Sequence, residues 1–241
     1  MLHTTPYSDT SIIAKVFTRE LGVRSYIIKG VRGGKSRARM NLLQPLSYLD
    51  AVVYANPRST LNYIKEMHPA RQFPSLMVSP VHSAVVFFIN ELLYKTLREE
   101  EANPILFGYV VETLAGLDAV ERVPVELPIV FMLRLSQHLG IEPLNNYSIQ
   151  EPLFNMKEGC FVPHPSKFTM ATDRNIAYLL NPTESLNLHL FLEMVHSSAP
   201  APILPLQQRI DLINILLRYF QAHISDFRHF NSHEVLHAVL E

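Results

Sequence analysis

The chain has a single cysteine, Cys160, in 241 residues, and no tryptophan. One thiol excludes an internal disulfide framework and any zinc site built from several cysteines. Long apolar runs are missing too. The longest, Ala84 to Ile89, falls well short of the roughly 18 residues of a membrane span and belongs to an amphipathic pattern. The opening residues, MLHTTPYSDT, lack a basic patch followed by an apolar stretch, so no secretory leader is expected and a cytoplasmic protein is the default. Internal repeats and low-complexity tracts are absent. Only 18% of residues are charged and 48% are hydrophobic, which excludes a disordered chain. Such a length suffices for one large domain or two smaller ones.

What is present is unevenly distributed. Residues 1–73 hold eleven Lys or Arg against four Asp or Glu, a net +7, while the remainder carries −8. A basic module that meets a polyanion, joined to one that does not, accounts for this split. Periodicity divides the chain in the same place. TSIIAKVFT (10–18), VRSYIIKGV (23–31), PLSYLDAVVYA (45–55) and TLNYIKEMH (60–68) are rich in β-branched and aromatic residues and separated by turn-like breaks. Within the second of these, Val23, Ile27 and Val31 share one face, and Arg24 and Tyr26 the other. A small antiparallel barrel is expected, with a two-sheet sandwich as the alternative.

From Ser79 the period becomes helical. Ser79-Pro80 reads as a helix start, and Ala84, Val85, Phe88, Ile89, Leu92 and Leu93 form a stripe at 3.6-residue spacing. Further helices are expected from Pro104 to about Val120, from Leu127 to Leu139, and along Leu206, Ile210, Ile213, Leu217, Phe220 and Ile224. The run 145–168 reads as a loop with a short hairpin at Cys160 to Val162. The expected division is 1–75 and 76–241, with 145–170 as a loop-rich insertion.

Three motifs invite a chemical reading. Gly34-Lys35-Ser36 ends like a P-loop, but the required first glycine falls on Lys29, and no amphipathic helix follows. The same stretch works better as a flexible loop carrying Arg32, Lys35, Arg37 and Arg39, with Lys29 at its stem. Cations so spaced can follow a phosphate backbone, or can simply decorate a solvated hairpin tip. His233-Glu234-Val235-Leu236-His237 is a literal H-E-x-x-H, yet no downstream third ligand follows it. Asn231 and Glu234 instead suit a capped helix start. Cys160 and His164 supply two candidate zinc ligands where a structural site needs four. No nucleophile with a placed base and no paired carboxylates stand out, so the expectation is a binding protein, not an enzyme, without metal or cofactor.

LHTTPYSDTSIIAKVFTRELGVRSYIIKGVRGGKSR, residues 2–37, resembles the N-terminal domain of the bacterial recombination mediator family RecO. The resemblance rests on Leu2-His3, on Phe17-Thr18-Arg19-Glu20 with Gly22, and on Lys29-Gly30-Arg32-Lys35-Ser36. LLQPL (42–46), QRIDLINILLRYFQAHI and HEVLHAVL extend it more loosely. It implies an α+β multidomain architecture: an N-terminal OB-fold barrel followed by an all-α helical domain. It also implies single- and double-stranded DNA binding, strand annealing, and loading of recombinase onto DNA coated by single-strand-binding protein. The implied partners are DNA, the ring-forming RecR protein and the acidic C-terminal tail of the single-strand-binding protein, in a cytoplasmic, nucleoid-associated setting. Two departures stand out. The four-cysteine zinc motif of some members is reduced here to Cys160, and the sequence begins inside the family's first strand.

On this reading Lys29, Arg32, Lys35, Arg37 and Arg39 form the main phosphate-binding loop, and Lys15, Arg19 and Arg24 extend the surface. Tyr26, on the same strand face as Arg24, either stacks on a base or packs. The rival reading is an interaction scaffold without DNA affinity.

Overall fold

The computed structural model describes residues 1–31, 37–54, 61–98, 101–165, 177–197 and 199–239. The chain divides into two compact units, Met1–Val123 and Pro124–Glu241.

The first unit is built on β1 (His3–Pro6), β2 (Ile12–Thr18), β3 (Gly22–Ile28), β4 (Tyr48–Tyr54) and β5 (Asn62–Arg71). A short helix, α1 (Arg37–Asn41), lies between β3 and β4. Strand order in the sheet is β1-β2-β3-β5-β4, the arrangement of an OB-fold. Not all of it is antiparallel. β3 and β5 pair in parallel through Tyr26↔Asn62 and Ile27↔Tyr63, because α1 and β4 form the crossover that a parallel pair requires. Nor does the sheet close among the described residues: β1 and β4 form its two edges. Just before the two strands begin, Leu46 N–H donates to the Met1 carbonyl at 2.8 Å and the Met1 amine to the Ser47 carbonyl at 3.0 Å.

Alternation along β2 and β3 decides which side chains enter the core. Ile12, Ala14 and Ile28 are buried together with Val31 and Leu43, and Val16, Leu49, Ile64 and Met67 pack against them. Residues of opposite parity on β1 and β2 meet the following helices, α2 (Pro80–Thr96) and α3 (Pro104–Ala119). The Phe17 ring lies 5.4 Å from Phe107, and the His3 ring 4.8 Å from Tyr94. The change of period near Pro69–Pro80 therefore marks where the sheet ends, while α2 and α3 stay in the same compact unit. Ser79 occupies the start of α2 in an extended conformation, but its hydroxyl makes no capping bond. Asn103 does cap α3, accepting from Leu106 N–H at 2.9 Å.

The second unit contains α4 (Leu127–His138), β6 (Leu153–Asn155), β7 (Cys160–Val162), α5 (Pro182–Ser197), α6 (Leu206–His223) and α7 (Ser232–Val239). The hairpin expected at Cys160 is present as β6–β7. The run around it is more than a loop. Asn146 accepts from Phe161 N–H at 2.8 Å and donates to the Phe161 carbonyl at 2.9 Å, standing in for a third strand. The α5 helix has no counterpart in the periodicity reading, because its LNLHLFL run alternates like a strand. Its start was nevertheless encoded. Asn181 and Glu184 form a reciprocal capping box, with bonds of 3.0 and 2.9 Å, and Pro182 opens the first turn.

Gly159 closes the β6–β7 turn at φ +72°, and a Cβ placed there would lie 2.9 Å from the Tyr219 hydroxyl. That hydroxyl is itself committed to the Ile141 carbonyl at 2.9 Å, and burial pushes its pKa up to about 12. Gly159→Ala is thus expected to lower stability by roughly 2–3 kcal/mol, combining left-handed strain with overpacking. Urea titration checks it; an unchanged midpoint would mean that Tyr219 can swing aside without loss.

Three imidazoles of this unit are held below their ordinary range. Burial is the main cause for His138, His189 and His237, reinforced by Arg134 at His138 and by His233 at His237. Glu193 and Glu234 oppose it at His189 and His237. A depressed folded-state pKa means that the unfolded chain binds protons first as pH falls below about 6.5. The contribution of these three imidazoles to stability is therefore expected to be full above that pH and to decline below it. Thermal midpoints from pH 7.5 down to pH 5 would show this, and a flat profile over that window would contradict it.

Candidate nucleic-acid interface

Among the described residues, the charged side chains singled out in the sequence do not form one patch. Lys29 leaves the end of β3 and is exposed, and Gly30 follows at φ +68°. This left-handed turn leaves the Lys29 carbonyl accepting from the Arg39 guanidinium, on α1, at 3.4 Å. Lys29 and Arg39 are thereby brought together at the two ends of the basic segment. Arg32 and Lys35 lie outside the described residues, and Arg37 is placed only by its backbone, as the first residue of α1.

Arg19 and Arg24 belong to the opposite end of the strands. The β2–β3 ladder runs from Thr18↔Gly22 to Ile12↔Ile28, so five steps along β3 separate Arg24 from Lys29, about 16 Å at roughly 3.3 Å per residue. Arg24 is half-buried, and its Nε donates to the Leu21 carbonyl at 3.1 Å. Lys15 is turned toward α2: its amine lies 4.9 Å from the Tyr94 ring centroid. Burial, then Arg98, lowers its pKa. Of the stacking and packing roles open to Tyr26, the structure takes packing. The residue is only 5% exposed, and burial raises its phenol pKa against the pull of Arg24. Tyr26 pairs with Ala14 on the inward face of Ile28, and Ile27, on the other face of the strand, is buried as well.

Other residues take the places these leave. Lys29 and Arg39 line a groove of about 560 Å³ with Tyr54, Tyr63, Ile64, Lys65, Glu66, Met67 and His68. Tyr54 and Tyr63 are partners across the β4–β5 ladder. The register shifts between Val52 and Val53, so that Val53 faces Ile64 and Val52 faces Glu66, with Lys65 as the extra residue. A bulge of this kind resets which residues point inward. Ile64 and Met67 enter the core, whereas Tyr63, Lys65, Glu66 and His68 are exposed. Strict alternation could not have found this set; the interleaving of tyrosine and lysine in NYIK was the available signal.

His233 and His237 share α7 with ring centroids 5.5 Å apart. Among the described residues, no group of three or more His, Cys, Asp or Glu is placed to hold a metal ion. Burial, with Glu158 and Glu151, keeps the Cys160 thiol above its ordinary pKa, which opposes thiolate chemistry. In the second unit Arg134 bonds Gln137 at 3.2 Å and Arg209 bonds the Leu204 carbonyl at 2.8 Å, both local structural pairings. No described helix is long and apolar enough to cross a membrane.

Residues 1–73 match the family model described as recombination protein O N terminal, and residues 79–148 match recombination protein O C terminal. A curated DNA repair protein RecO from Phocaeicola vulgatus is 31% identical over 239 residues, covering 98% of this chain and 95% of the relative. Its namesake from Bacteroides fragilis is 28% identical over 237 residues, covering 98% and 95%. The namesake from Azobacteroides pseudotrichonymphae is 26% identical over 240 residues, covering 100% and 96%.

Proposed function

The chain belongs to the recombination protein O family, with a role in DNA repair and recombination, and from that premise we propose that it is a non-enzymatic mediator. On this reading it binds single- and double-stranded DNA, anneals complementary strands, and helps load recombinase onto DNA coated by single-strand-binding protein. RecR and the acidic tail of the single-strand-binding protein are the partners that the family reading supplies. Action near the nucleoid follows from the same reading.

The observation that carries the proposal is the convergence of Lys29, Arg39, Lys65 and His68 on one groove of an OB-ordered sheet. It lies in the part of the chain with net charge +7. Annealing needs no bond-making chemistry. Cations that neutralise phosphates on two strands lower their repulsion, and base pairing then supplies the free energy. Equilibrium binding of a labelled single strand across a salt series tests the reading, run beside an annealing assay with complementary strands. The expected log–log slope is steep, about −0.7 per phosphate contacted, and annealing should slow as salt rises. A flat slope with no annealing would remove DNA from this surface and leave an interaction scaffold.

A further inference from the structure

We infer that Tyr54 and Tyr63 form a stacking platform for unpaired nucleobases, with Lys29 and Lys65 beside it to hold the phosphates of the same single strand. This rests on the DNA-binding reading above and deepens it, because it names what the groove recognises. Tyr54 is 61% and Tyr63 39% exposed, although both lie in the sheet rather than in a loop. As cross-strand partners they place their Cβ atoms about 5 Å apart on one face of the sheet, and both side chains are exposed there. Lys29 Nζ is 4.3 Å from the Tyr63 centroid, and Lys65 Nζ 5.9 Å from that of Tyr54.

Cation–π contacts at exposed positions are weak, and both lysines are solvent-exposed on flexible stems. A base can displace either amine from its ring while the amine turns to the adjoining phosphate. Arg39 and His68 extend the polar wall of the groove. Among the described residues Glu66 is the one acidic group lining it, and its carboxylate is paired with Lys65 at 3.4 Å. The apolar floor comes from Ile28, Ile64 and Met67. Exposed aromatic faces bordered by cations match a strand whose bases are unstacked and whose backbone is anionic. A duplex offers the phosphates but keeps its base faces inside its own stack, so single strands are the preferred occupant.

The test compares a thymidine oligonucleotide with an abasic strand of equal length, using full-length protein. Wild type is expected to favour the base-bearing strand by about 5- to 100-fold. Tyr54→Leu/Tyr63→Leu should bring that ratio close to one while leaving the salt slope intact, and Tyr54→Phe/Tyr63→Phe should retain it. A wild-type ratio near one, or an unchanged ratio in the leucine variant, overturns the platform. With a steep salt slope preserved, those results leave the mediator reading standing. Loss of all strand binding by wild type removes both. Should the leucine variant fail to fold, the wild-type ratio and the phenylalanine variant still decide.

Discussion

Replacing Lys29, Arg39 and Lys65 together by alanine is expected to make the salt dependence of single-strand binding shallower by about two units of log–log slope. Each phosphate contact contributes about 0.7. At low salt the affinity should fall roughly 100-fold, since three of the groove's cations go at once. Stability should hardly change. The Lys65–Glu66 pair at 3.4 Å is about half exposed on both sides, and such pairs contribute little. The informative control is Lys15→Ala. Its amine faces Tyr94 rather than the groove, so binding should stay within about twofold of wild type, on the same additive reasoning. Equal losses in both variants would spread the interface over the whole basic unit, including the side of β2 that faces α2.

Phe161→Ala should cost about 3–5 kcal/mol, the range for deleting a buried aromatic ring. Phe161 is 1% exposed, with the Phe154 ring at 5.1 Å and the Tyr147 ring at 5.3 Å. Tyr147 in turn stacks on His189 at 4.4 Å. Removing the central ring leaves the others facing a void, and the Asn146 side chain that brackets the Phe161 backbone at 2.8 and 2.9 Å loses its rigid support. A domain stable by about 5–15 kcal/mol would forfeit a large share of that. Chemical denaturation followed by circular dichroism measures the change. A loss below about 1 kcal/mol would mean that the hairpin collapses onto the space and that the cluster is not what holds it.

How much of this was legible beforehand depends on the range of the signal. Charge and period are local properties, and both were readable: a basic, strand-rich start, a helical remainder and a hairpin at Cys160. Turn chemistry was readable too, in Gly30 and in the Asn181–Glu184 box, although the alternating LNLHLFL run masked the helix that the box begins. Family membership was visible as a resemblance in Leu2-His3 and in the segment from Phe17 to Ser36, which lie within the matched residues 1–73.

The candidate site was legible only in part. Lys29 and Arg39 could be named from the sequence, but not that a glycine turn and α1 join them. The fate of Tyr26 was undecidable from alternation, since a strand with both faces covered buries both parities, and Tyr26, Ile27 and Ile28 are all buried. Tyr54, Tyr63 and Lys65 depend on the β4–β5 register and its bulge, which are set by pairing between separate segments. Sequence alone determined that this chain has a basic, OB-like unit of the recombination protein O family. Tertiary structure decided which cations and which rings share a surface, because that choice rests on strand register and burial, which no single segment encodes.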